Sequence, residues 1–353
     1  MKLGLIAAPA PIADSRNVPA DQASYVELRP GDTLDSRFLL IEKINHGGMA
    51  TVFKAEDLQN QRQLVAVKVP HAMFASGVGA WSRFEREAEI GGKLRHPFIL
   101  KFIPVAGVGR GTYIATEYLH GQTLAERLRS GLVPEPEALA LAQQIATALR
   151  YLHEQNVVHS DLKPGNVMIC DDGSIRLIDF GMAQPVDTGR FHLRAATPAM
   201  GTSDYIAPEQ LQHKRGCPSA DIYSFGAMLY EMLTGSTPFP GDDPFVIGSK
   251  RLLGDPVAPR QLNPAISLQM EEIILRAMQR DPARRYPTVA AMQTDLNAPD
   301  QVRVTGLCDR LEAATPGKRV WSYVRYLALT CVVPVVALVL LFLLLWHHYA
   351  KGH

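Results

Sequence analysis

The stretch His159-Ser160-Asp161-Leu162-Lys163-Pro164-Gly165-Asn166 brings an acid, a base and an amide within six positions. The carboxylate of Asp161 can orient a hydroxyl group and accept its proton, and the ammonium of Lys163 can offset charge on a transferring phosphoryl group. The side chain of Asn166 can supply an oxygen ligand to a metal ion. This spacing indicates a phosphoryl-transfer loop, because a packed core would not accommodate so many polar groups.

A second candidate oxygen ligand lies one short hairpin further along the chain. Asp179-Phe180-Gly181 begins thirteen residues after Asn166. The intervening sequence predicts strands over 167–169 and 175–178, joined by a turn at Asp171-Asp172-Gly173. Two hard oxygen ligands on either side of such a hairpin suit a Mg²⁺ ion that bridges phosphate groups. The alternative is a solvated loop with chance charges.

These motifs and those below occur in the order found in the eukaryotic-like (Hanks-type) protein kinases, along roughly 250 residues. The chain resembles that family. A lysine two positions after the aspartate, here Lys163 after Asp161, resembles the pattern of the serine/threonine branch. The turn sequence Gly47-Gly48-Met49-Ala50 resembles that of bacterial members. The resemblance implies an α+β, bilobal protein kinase fold with a small β-rich lobe and a mostly helical lobe. It also implies transfer of the γ-phosphoryl group of ATP to Ser or Thr hydroxyls of proteins, with Mg²⁺ or alternatively Mn²⁺.

Apolar and polar residues alternate over 38–44 and 51–55, which predicts two strands joined by a glycine-containing turn. Glycine lets backbone amides approach phosphate oxygens closely. Gly47 matches the central glycine of the family pattern G-x-G-x-x-G-x-V, whereas Asn45 and Ala50 replace the first and third. Taken alone, the motif also fits an ordinary hairpin turn. The resemblance implies nucleotide contacts from Ile44, Asn45, His46, Gly47, Gly48, Met49, Ala50, Thr51 and Val52.

Val65-Ala66-Val67-Lys68-Val69 predicts an apolar strand with one lysine in its middle, which is costly unless the ammonium meets an anion. The resemblance supplies the nucleotide phosphates and a glutamate from a helix predicted over 81–94. That helix carries Glu85, Glu87 and Glu89, and spacing alone does not choose among them. The family motif matches Glu87. The alternative is that the lysine reaches solvent from an edge strand.

Two predicted strands, near 100–105 and 112–116, run into Glu117-Tyr118-Leu119-His120-Gly121. This segment resembles the hinge between the two lobes of the family, where backbone groups bind an adenine edge. The resemblance implies that Thr116 is the small gatekeeper residue behind the adenine. It adds Ala66, Glu117 and Leu119 to the nucleotide contacts.

A long helix predicted over 135–155 packs beneath the loop that begins at His159. We expect His159 to hold that loop by packing and hydrogen bonding rather than to carry a proton. Ser160 stands where the family has an arginine that binds a phosphorylated activation loop. A neutral serine cannot form this charge-assisted pair. Activity is therefore expected to need no loop phosphorylation, or to be controlled in another way.

Residues 181–209 form a stretch too long for a simple connection, and they fit a mobile activation segment. Thr188 and Thr197 are its candidate autophosphorylation sites. By resemblance, Thr202 lies near Asp161 and positions the substrate hydroxyl as part of the catalytic set.

Further residues are expected to be structural. By resemblance, Glu209 buries its charge against Arg285, and Asp221 holds the backbone amides of the catalytic loop. An apolar helix is predicted over 221–233, ending at Gly235. Other helices are predicted over 244–253, 268–279 and 288–296.

Composition limits the class of protein and its surroundings. The 353 residues carry a net charge near +1 and no long basic run, so nucleic-acid binding is not supported. Four widely separated cysteines indicate neither a zinc site nor a disulfide framework, which suits a reducing cytoplasm. We assign 31–297 to the kinase domain and 298–325 to a juxtamembrane linker. Residues 1–30 are expected to be disordered rather than a secretory signal.

Residues 326–346 are twenty-one positions without a charge, fourteen of them Leu, Val or Phe. At about 1.5 Å per residue they extend roughly 31 Å, near the hydrocarbon thickness of a bilayer. They predict one transmembrane helix; a buried core helix is the alternative. The cations Lys318, Arg319 and Arg325 precede it, so the positive-inside rule places the catalytic domain in the cytoplasm. We expect a single pass through the inner (cytoplasmic) membrane and a short tail, 347–353, without an outer sensor domain; homodimerisation is left open.

Two other functions remain open. A membrane-tethered pseudokinase would bind partners without catalysis, and it is motivated by the departures at Asn45 and Ser160. Against it stand the retained residues Lys68, Asp161, Asn166 and Asp179. A kinase for small molecules is disfavoured by the complete activation segment with its Ala207-Pro208-Glu209.

Overall fold

A seven-stranded sheet forms the amino-terminal lobe. The computed structural model describes residues 17–18, 27–48, 50–71, 78–105, 113–186, 203–212 and 216–311. The strands of this sheet are Asn17–Val18 (β1), Thr33–Leu34 (β2), Phe38–His46 (β3), Ala50–Asp57 (β4), Gln63–Pro70 (β5), Phe102–Ile103 (β6) and Ile114–Glu117 (β7). Their order is β1-β2-β3-β4-β5-β7-β6; β1 and β2 are parallel and the other neighbours antiparallel.

The alternation seen in the sequence explains the core of this lobe. Along β4 and β5, buried side chains largely alternate with half-buried ones, as expected when one face of a sheet packs inward. Phe38 and Leu40 from β3 pack in the same core. Ala115 of β7 and Tyr113, the residue before β7, also belong to it. The two strands predicted around the glycine-containing turn are confirmed, and β3 continues two residues beyond the predicted end at 44.

One helix, Val78–Lys93 (α1), packs against the sheet and begins three residues before the predicted start at 81. Phe84 is buried in the core beside it. Gly91 lies directly against the ring of Phe102, and an added Cβ would come within 2.2 Å of that ring. This close approach requires glycine, although glycine weakens a helix.

The carboxy-terminal lobe is mostly helical. Its helices are Leu124–Arg129 (α2), Glu135–Glu154 (α3), Pro208–Leu211 (α4), Pro218–Thr234 (α5), Pro244–Leu253 (α6), Pro259–Leu262 (α7), Leu268–Ala277 (α8) and Val289–Asn297 (α9). Two small sheets accompany them, built from Gly121–Thr123 (β8), Val157–Val158 (β9), Val167–Cys170 (β10), Ile175–Leu177 (β11) and Gln184–Pro185 (β12). The predicted hairpin after Asn166 is the antiparallel pair β10 and β11.

Helix α5 lies in the core of this lobe and is apolar on nearly every side, with thirteen buried residues. Such a helix must be surrounded by others. Gly226 lets α8 approach, since an added Cβ would lie 2.8 Å from the Cβ of Ala277. The helix begins at Pro218, earlier than predicted, because proline suits a first helical turn. It ends at Gly235 in the left-handed conformation, φ +73°.

The assignment of 1–30 to a disordered segment needs correction at two places. Asn17 pairs with Thr33 in a short parallel strand, and its side-chain amide forms two hydrogen bonds of 2.8 Å with Ser36. Leu28 is buried in the small-lobe core. The contacts of Asn17 and of Leu28 are each made by one residue within a segment rich in Ala and Pro. The overall composition of 1–30 therefore did not predict them.

The predicted end of the domain at 297 also needs correction. Buried Glu272 of α8 accepts hydrogen bonds from the hydroxyl of Thr305 (2.5 Å) and the amide of Leu307 (3.4 Å). Val302 packs against the large-lobe core. The mixed charge of 302–311 predicted a linker, but a buried carboxylate needs hydrogen-bond donors, and this segment supplies them.

The predicted transmembrane helix, 326–346, lies outside the described residues. In the parts of the chain that are described, no helix combines the length and the apolar character needed to cross a bilayer.

Candidate active site

The catalytic loop is held together by hydrogen bonds among its own polar residues. Pro164–Asn166 form one turn of 3₁₀ helix. The side-chain amide nitrogen of Asn166, Nδ2, donates to the backbone oxygen of Asp161 (2.8 Å) and to its carboxylate oxygen Oδ2 (3.1 Å). The ammonium of Lys163 lies 2.8 Å from that same carboxylate oxygen. The structure thus brings together the three residues that the sequence singled out.

Asp221, in the first turn of α5, anchors the start of this loop. Its carboxylate accepts hydrogen bonds of 2.9 Å from the backbone amides of His159 and Ser160, and lies 2.8 Å from Nε2 of His153. Ser160 has a left-handed backbone, φ +66°, which such contacts must hold in place. Burial would raise the pKa of Asp221, but the hydrogen bond and charge of His153 and the amide of His159 outweigh it, so the pKa is lowered. The predicted structural role of Asp221 is confirmed.

Replacing Asp221 with asparagine is expected to lower the free energy of unfolding at neutral pH by about 1.5–3 kcal/mol, because hydrogen bonds to a charged group are lost. A carboxyl with a lowered folded-state pKa contributes stability above its ordinary pKa, near 3.9, and this contribution is lost as pH falls through the folded-state value. The difference from wild type should therefore be largest near neutral pH and shrink below about pH 4. Urea unfolding across that range measures it, and a difference that grows on acidification would contradict the assignment.

The ring of His159 has no exposed surface and packs beside Phe180, with ring centroids 5.5 Å apart. Neither ring nitrogen has a hydrogen-bond partner among the described residues. The predicted role of His159, to hold the loop by packing and hydrogen bonding, is confirmed. Its backbone amide, rather than its ring, ties the loop to Asp221.

Asp179 follows the β10–β11 hairpin with a left-handed backbone, φ +64°. Its carboxylate accepts a hydrogen bond from the amide of Gly181 (3.1 Å), and the amide of Ile178 donates to the backbone oxygen of Asn166 (3.0 Å). Burial would raise the pKa of Asp179, but the charge of Lys68 and the Gly181 amide outweigh it, so the pKa is lowered. The two predicted metal ligands therefore lie on segments that are hydrogen-bonded to each other.

Lys68 lies on β5, between β4 and β7, so it is not on an edge strand. Its ammonium is 2.6 Å from Oε2 of Glu87 on α1. Glu87 is buried whereas Glu85 and Glu89 are exposed, so the structure selects Glu87 from the three glutamates. Burial would lower the pKa of Lys68, but the charges of Glu87 and Asp179 outweigh it and raise the pKa, which keeps the ammonium protonated. Burial raises the pKa of Glu87 against the opposing charge of Lys68.

The glycine-containing turn joins β3 to β4 beside the Lys68 strand. The amide of Gly47 donates to the backbone oxygen of Ala50 (3.0 Å), and Val52 is paired with Asn45 on one side and Lys68 on the other. Neither Asn45 nor Ala50 has a positive φ, so the residues that replace the family glycines carry no backbone strain. The same turn and its flanking strands carry Ile44, His46, Gly48 and Thr51. Met49 lies outside the described residues.

The predicted hinge begins at the end of β7. Ala66 on β5 pairs with Thr116, which is buried, and the Thr116 hydroxyl lies 3.2 Å from the backbone oxygen of Glu117. The Glu117 carboxylate accepts a hydrogen bond from the amide of Lys101 (2.9 Å). Its side chain is thus engaged within the protein, and Leu119 is half-buried two residues on.

The sequence profile of the protein kinase domain matches residues 38–296. The chain belongs to the protein kinase family. A probable serine/threonine-protein kinase of Corynebacterium efficiens is 35% identical over 269 residues, which are 74% of this chain and 41% of the relative. PknB of Mycobacterium leprae is 33% identical over 268 residues (74% and 43%), and PrkC of Bacillus subtilis is 33% identical over 267 residues (75% and 41%). The chain spans about two fifths of the length of these relatives.

In this kinase a buried ion pair fixes the segment that follows the activation loop. The guanidinium of Arg285 binds the carboxylate of Glu209 through two contacts of 2.6 and 2.8 Å, and both side chains are buried. The predicted pair is confirmed. The side chain of Gln210 donates to the backbone oxygen of Ser160 (3.0 Å), which connects the segment to the catalytic loop. Three predicted hydroxyl residues lie outside the described part of the chain: Thr188, Thr197 and Thr202.

The sequence did not single out Arg251, which lies in the last turns of α6 in this kinase. Its side chain is fully buried and donates to the backbone oxygens of Asp204 (2.7 Å) and Ile206 (2.9 Å). It also lies over the ring of Phe239, 5.5 Å from the centroid. The guanidinium therefore fixes the stretch just before α4. Lys250-Arg251 at the end of a helix is typical of exposed cations beside a negative helix terminus, so no sequence signal indicated burial.

Proposed function

We propose that this chain is a serine/threonine protein kinase that transfers the γ-phosphoryl group of ATP to hydroxyl groups of proteins. One observation carries the proposal: Lys68, which pairs with Glu87, and Lys163, which pairs with Asp161, both lie close enough to Asp179 to lower its pKa. Cationic side chains from two separate segments, β5 and the catalytic loop, therefore both act on the carboxylate of Asp179. The printed names of the relatives support the choice of Ser and Thr as acceptors.

The carboxylate of Asp161 is arranged to receive a hydroxyl proton. Lys163 and Asn166 both contact its Oδ2 atom, so Oδ1 is the oxygen left to orient the acceptor hydroxyl. Lys163 then offsets negative charge on the phosphoryl group during transfer. Thr202, by family resemblance, would help to position the acceptor.

Asn166 and Asp179 would hold Mg²⁺, with Mn²⁺ as an alternative. The donor set fits: among the described residues the side-chain amide of Asn166 forms hydrogen bonds only through its nitrogen, which leaves its oxygen for the cation, and Asp179 has a lowered pKa that keeps it ionised. Hard oxygen ligands are the ones such cations prefer. When bound, the cation would neutralise charge on the phosphates.

Lys68, held by Glu87, would contact the nucleotide phosphates, and the turn over 44–52 would cover them. The adenine would lie against Ala66, Thr116 and Leu119, with the backbone of Glu117 at its edge. The absence of strain at Asn45 and Ala50 supports a working phosphate-binding turn rather than a degraded one.

We further propose that the kinase needs no phosphate on its activation segment. Ser160 cannot bind a phosphate by charge, yet both of its backbone polar groups are already engaged. Its amide donates to Asp221 and its oxygen accepts from Gln210. The contact between the catalytic loop and the segment before α5 therefore forms without a phosphorylated residue.

Arg251→Met is expected to lower the rate with a protein or peptide acceptor about tenfold, because two buried backbone oxygens lose a charged donor. The KM for ATP should change little, since the contacts given above for Arg251 lie in the large lobe and not in β5 or the hinge. Lys250→Met is the matched control, because Lys250 is the neighbouring cation but is exposed, and within the described chain it donates only to the backbone oxygen of Pro240. Steady-state kinetics with each substrate varied in turn provide the test. An equal loss for both variants would contradict the positioning role of Arg251.

The membrane anchor is proposed from sequence alone. Residues 326–346 are charge-free over a bilayer-spanning length and follow three cations, which supports one span with the kinase domain at the cytoplasmic face of the inner membrane. Deletion of 320–353 should move the protein from the membrane to the soluble fraction, whereas deletion of 347–353 should not. An unchanged distribution after the longer deletion would refute the anchor.

Intact-mass spectrometry of the full chain in detergent, after incubation with ATP and Mg²⁺, tests the kinase proposal. Added mass in phosphoryl steps, absent from Asp179→Asn, is the expected result, and mapping would examine Thr188, Thr197 and Thr202. A generic protein substrate is tested in parallel to detect activity towards other chains. Thermal stabilisation by ATP without transfer to either acceptor would instead favour the pseudokinase.

A further inference from the structure

A small cavity lies where the two lobes meet, outside the proposed catalytic centre. Its volume is about 240 Å³. Its walls come from the connection between α1 and β6, the end of β7, and β11, and the charged side chains that line it are Arg95, Lys101, Glu117 and Arg176. The residues proposed to bind phosphates and Mg²⁺ do not line it, so the cavity is a separate feature of the molecule.

Backbone contacts place this cavity between the lobes. The amide of Glu117, the last residue of β7, donates to the backbone oxygen of Lys101 (2.9 Å), which ties Lys101 to the small-lobe sheet. Ile99 forms a parallel bridge with Leu177 of β11, in the large lobe. Arg176 precedes Leu177 on the same strand. The cations of the cavity therefore come from both lobes.

Positive charge in the lining exceeds negative charge. The only carboxylate is that of Glu117, which lies 3.7 Å from Nε of Arg176 and also accepts the amide of Lys101 (2.9 Å). Among the described residues, the Lys101 ammonium has no hydrogen-bond or ion-pair partner. The guanidinium of Arg95 there donates only to the backbone oxygen of Leu94 (2.6 Å). Two of the three cations thus have no counter-ion in the described chain.

The ring of His96, which also lines the cavity, does not change this balance. Burial, assisted by the charge of Arg150, lowers the pKa of His96, so the ring is neutral at pH 7. The lining therefore carries a surplus of two positive charges. A concave surface of one sign concentrates ions of the opposite sign. The volume is below the range that holds drug-sized ligands, so the cavity suits a small anion.

We propose that this cavity binds a phosphate group, either the free ion or the monoester end of a small molecule. A phosphate monoester carries a charge of about −1.5 to −2 at neutral pH, which matches the surplus. The guanidinium groups of Arg95 and Arg176 suit phosphate oxygens, and Lys101 adds a compact positive charge. A single carboxylate would leave one of the cations uncompensated.

A bound phosphate would also connect the lobes. Held by Lys101 and Arg176, it would join the small-lobe sheet to β11, three residues before Asp179. The lobes would then move less freely relative to each other. This consequence rests on the proposed function, since the nucleotide is proposed to contact residues of both lobes. A phosphate in the cavity should therefore slow the release of nucleotide.

Isothermal titration calorimetry of the full chain in detergent tests the site, with a non-hydrolysable ATP analogue and Mg²⁺ present throughout to occupy the active site. Inorganic phosphate and glycerol phosphate are the probes, and glycerol is the uncharged control. Lys101→Met should weaken binding of both probes about tenfold or more, because one charge-assisted hydrogen bond is lost. Lys93→Met is the matched control, since it removes an exposed cation that pairs with Glu89 outside the cavity, and it should bind like the parent.

Equal affinities of Lys101→Met and Lys93→Met, or no saturable binding by the parent at millimolar phosphate, would overturn the site. Arg95→Met should weaken binding as well, which gives a second variant at a different wall of the cavity. Tighter binding of glycerol phosphate than of inorganic phosphate would identify a monoester as the ligand, and the reverse order would identify the free ion. Succinate binding more tightly than both would overturn the assignment to phosphate.

A release experiment separates the failure of this site from the failure of the proposed function. Glycerol phosphate should slow release of a fluorescent ADP analogue from the parent but not from Lys101→Met. Equal release rates from the parent with and without glycerol phosphate would overturn the connection between the lobes. Failure of the analogue to bind, with phosphate binding intact and dependent on Lys101, would count against the proposed kinase function and leave the cavity assignment standing.

Discussion

Asp161→Asn is expected to lower the rate of phosphoryl transfer by about 10²–10⁴-fold, the usual contribution of a positioned general base. The amide has nearly the same shape as the carboxylate, but it cannot accept the hydroxyl proton. Lys163 and Asn166 would still find an oxygen on residue 161, so the loop should keep its form. Nucleotide affinity should therefore remain close to that of the wild type.

Single-turnover transfer to a peptide, measured beside ATP binding, distinguishes these effects. Asp171→Asn is the matched control, because Asp171 is an exposed carboxylate in the β10–β11 turn, outside the catalytic loop. It should transfer phosphate at the wild-type rate. If Asp161→Asn and Asp171→Asn were equally active, the hydroxyl proton would have to leave by another route.

Arg285→Ala is expected to destabilise the kinase by about 3–5 kcal/mol, because it leaves the Glu209 carboxylate buried without its counter-ion. The loss extends beyond that pair. The Arg285 guanidinium also donates to the backbone oxygens of Ser219 in α5 (2.8 Å) and of Gln279, two residues after α8 (2.7 Å). Removing one side chain therefore unties several segments at once.

The neighbouring Arg284 gives the control for this prediction. It is 76% exposed and 3.9 Å from Asp281, so Arg284→Ala should change stability by less than about 0.5 kcal/mol. Urea unfolding and the melting temperature of the full chain compare the two variants. The double change Arg285→Met and Glu209→Leu should recover part of the loss, since it removes the unpaired charge. Similar midpoints for Arg284→Ala and Arg285→Ala would refute the role of the buried pair.

Local spacing predicted much of the site. The proximity of the catalytic-loop residues follows from the sequence, because Asp161, Lys163 and Asn166 lie within six consecutive positions. The alternation around the nucleotide turn likewise predicted β3 and β4. Lys68 was recognisable because a lysine inside an apolar strand needs an anion, but only the family motif chose Glu87 among three glutamates.

Features that depend on tertiary packing were harder to predict. Whether the His159 ring would find a hydrogen-bond partner depends on Phe180 and the core around it. Arg251 looked like a surface cation because burial is decided by the loop folded over it. The domain limits failed for the same reason: Leu28 and Thr305 are ordinary residues until the core or Glu272 lies beside them.

Because 302–311 dock on α8, the linker between the catalytic domain and the proposed membrane helix is shorter than the sequence indicated. About 14 residues, 312–325, separate the two, and even fully extended they would reach only about 50 Å. With the proposed anchor in place, the active site can reach only a thin layer of cytoplasm next to the membrane. A freely diffusing protein spends little time in that layer, whereas a membrane-bound one never leaves it and meets the kinase at a high effective concentration. Location at the membrane, rather than a docking groove on the kinase, would then determine which proteins become substrates.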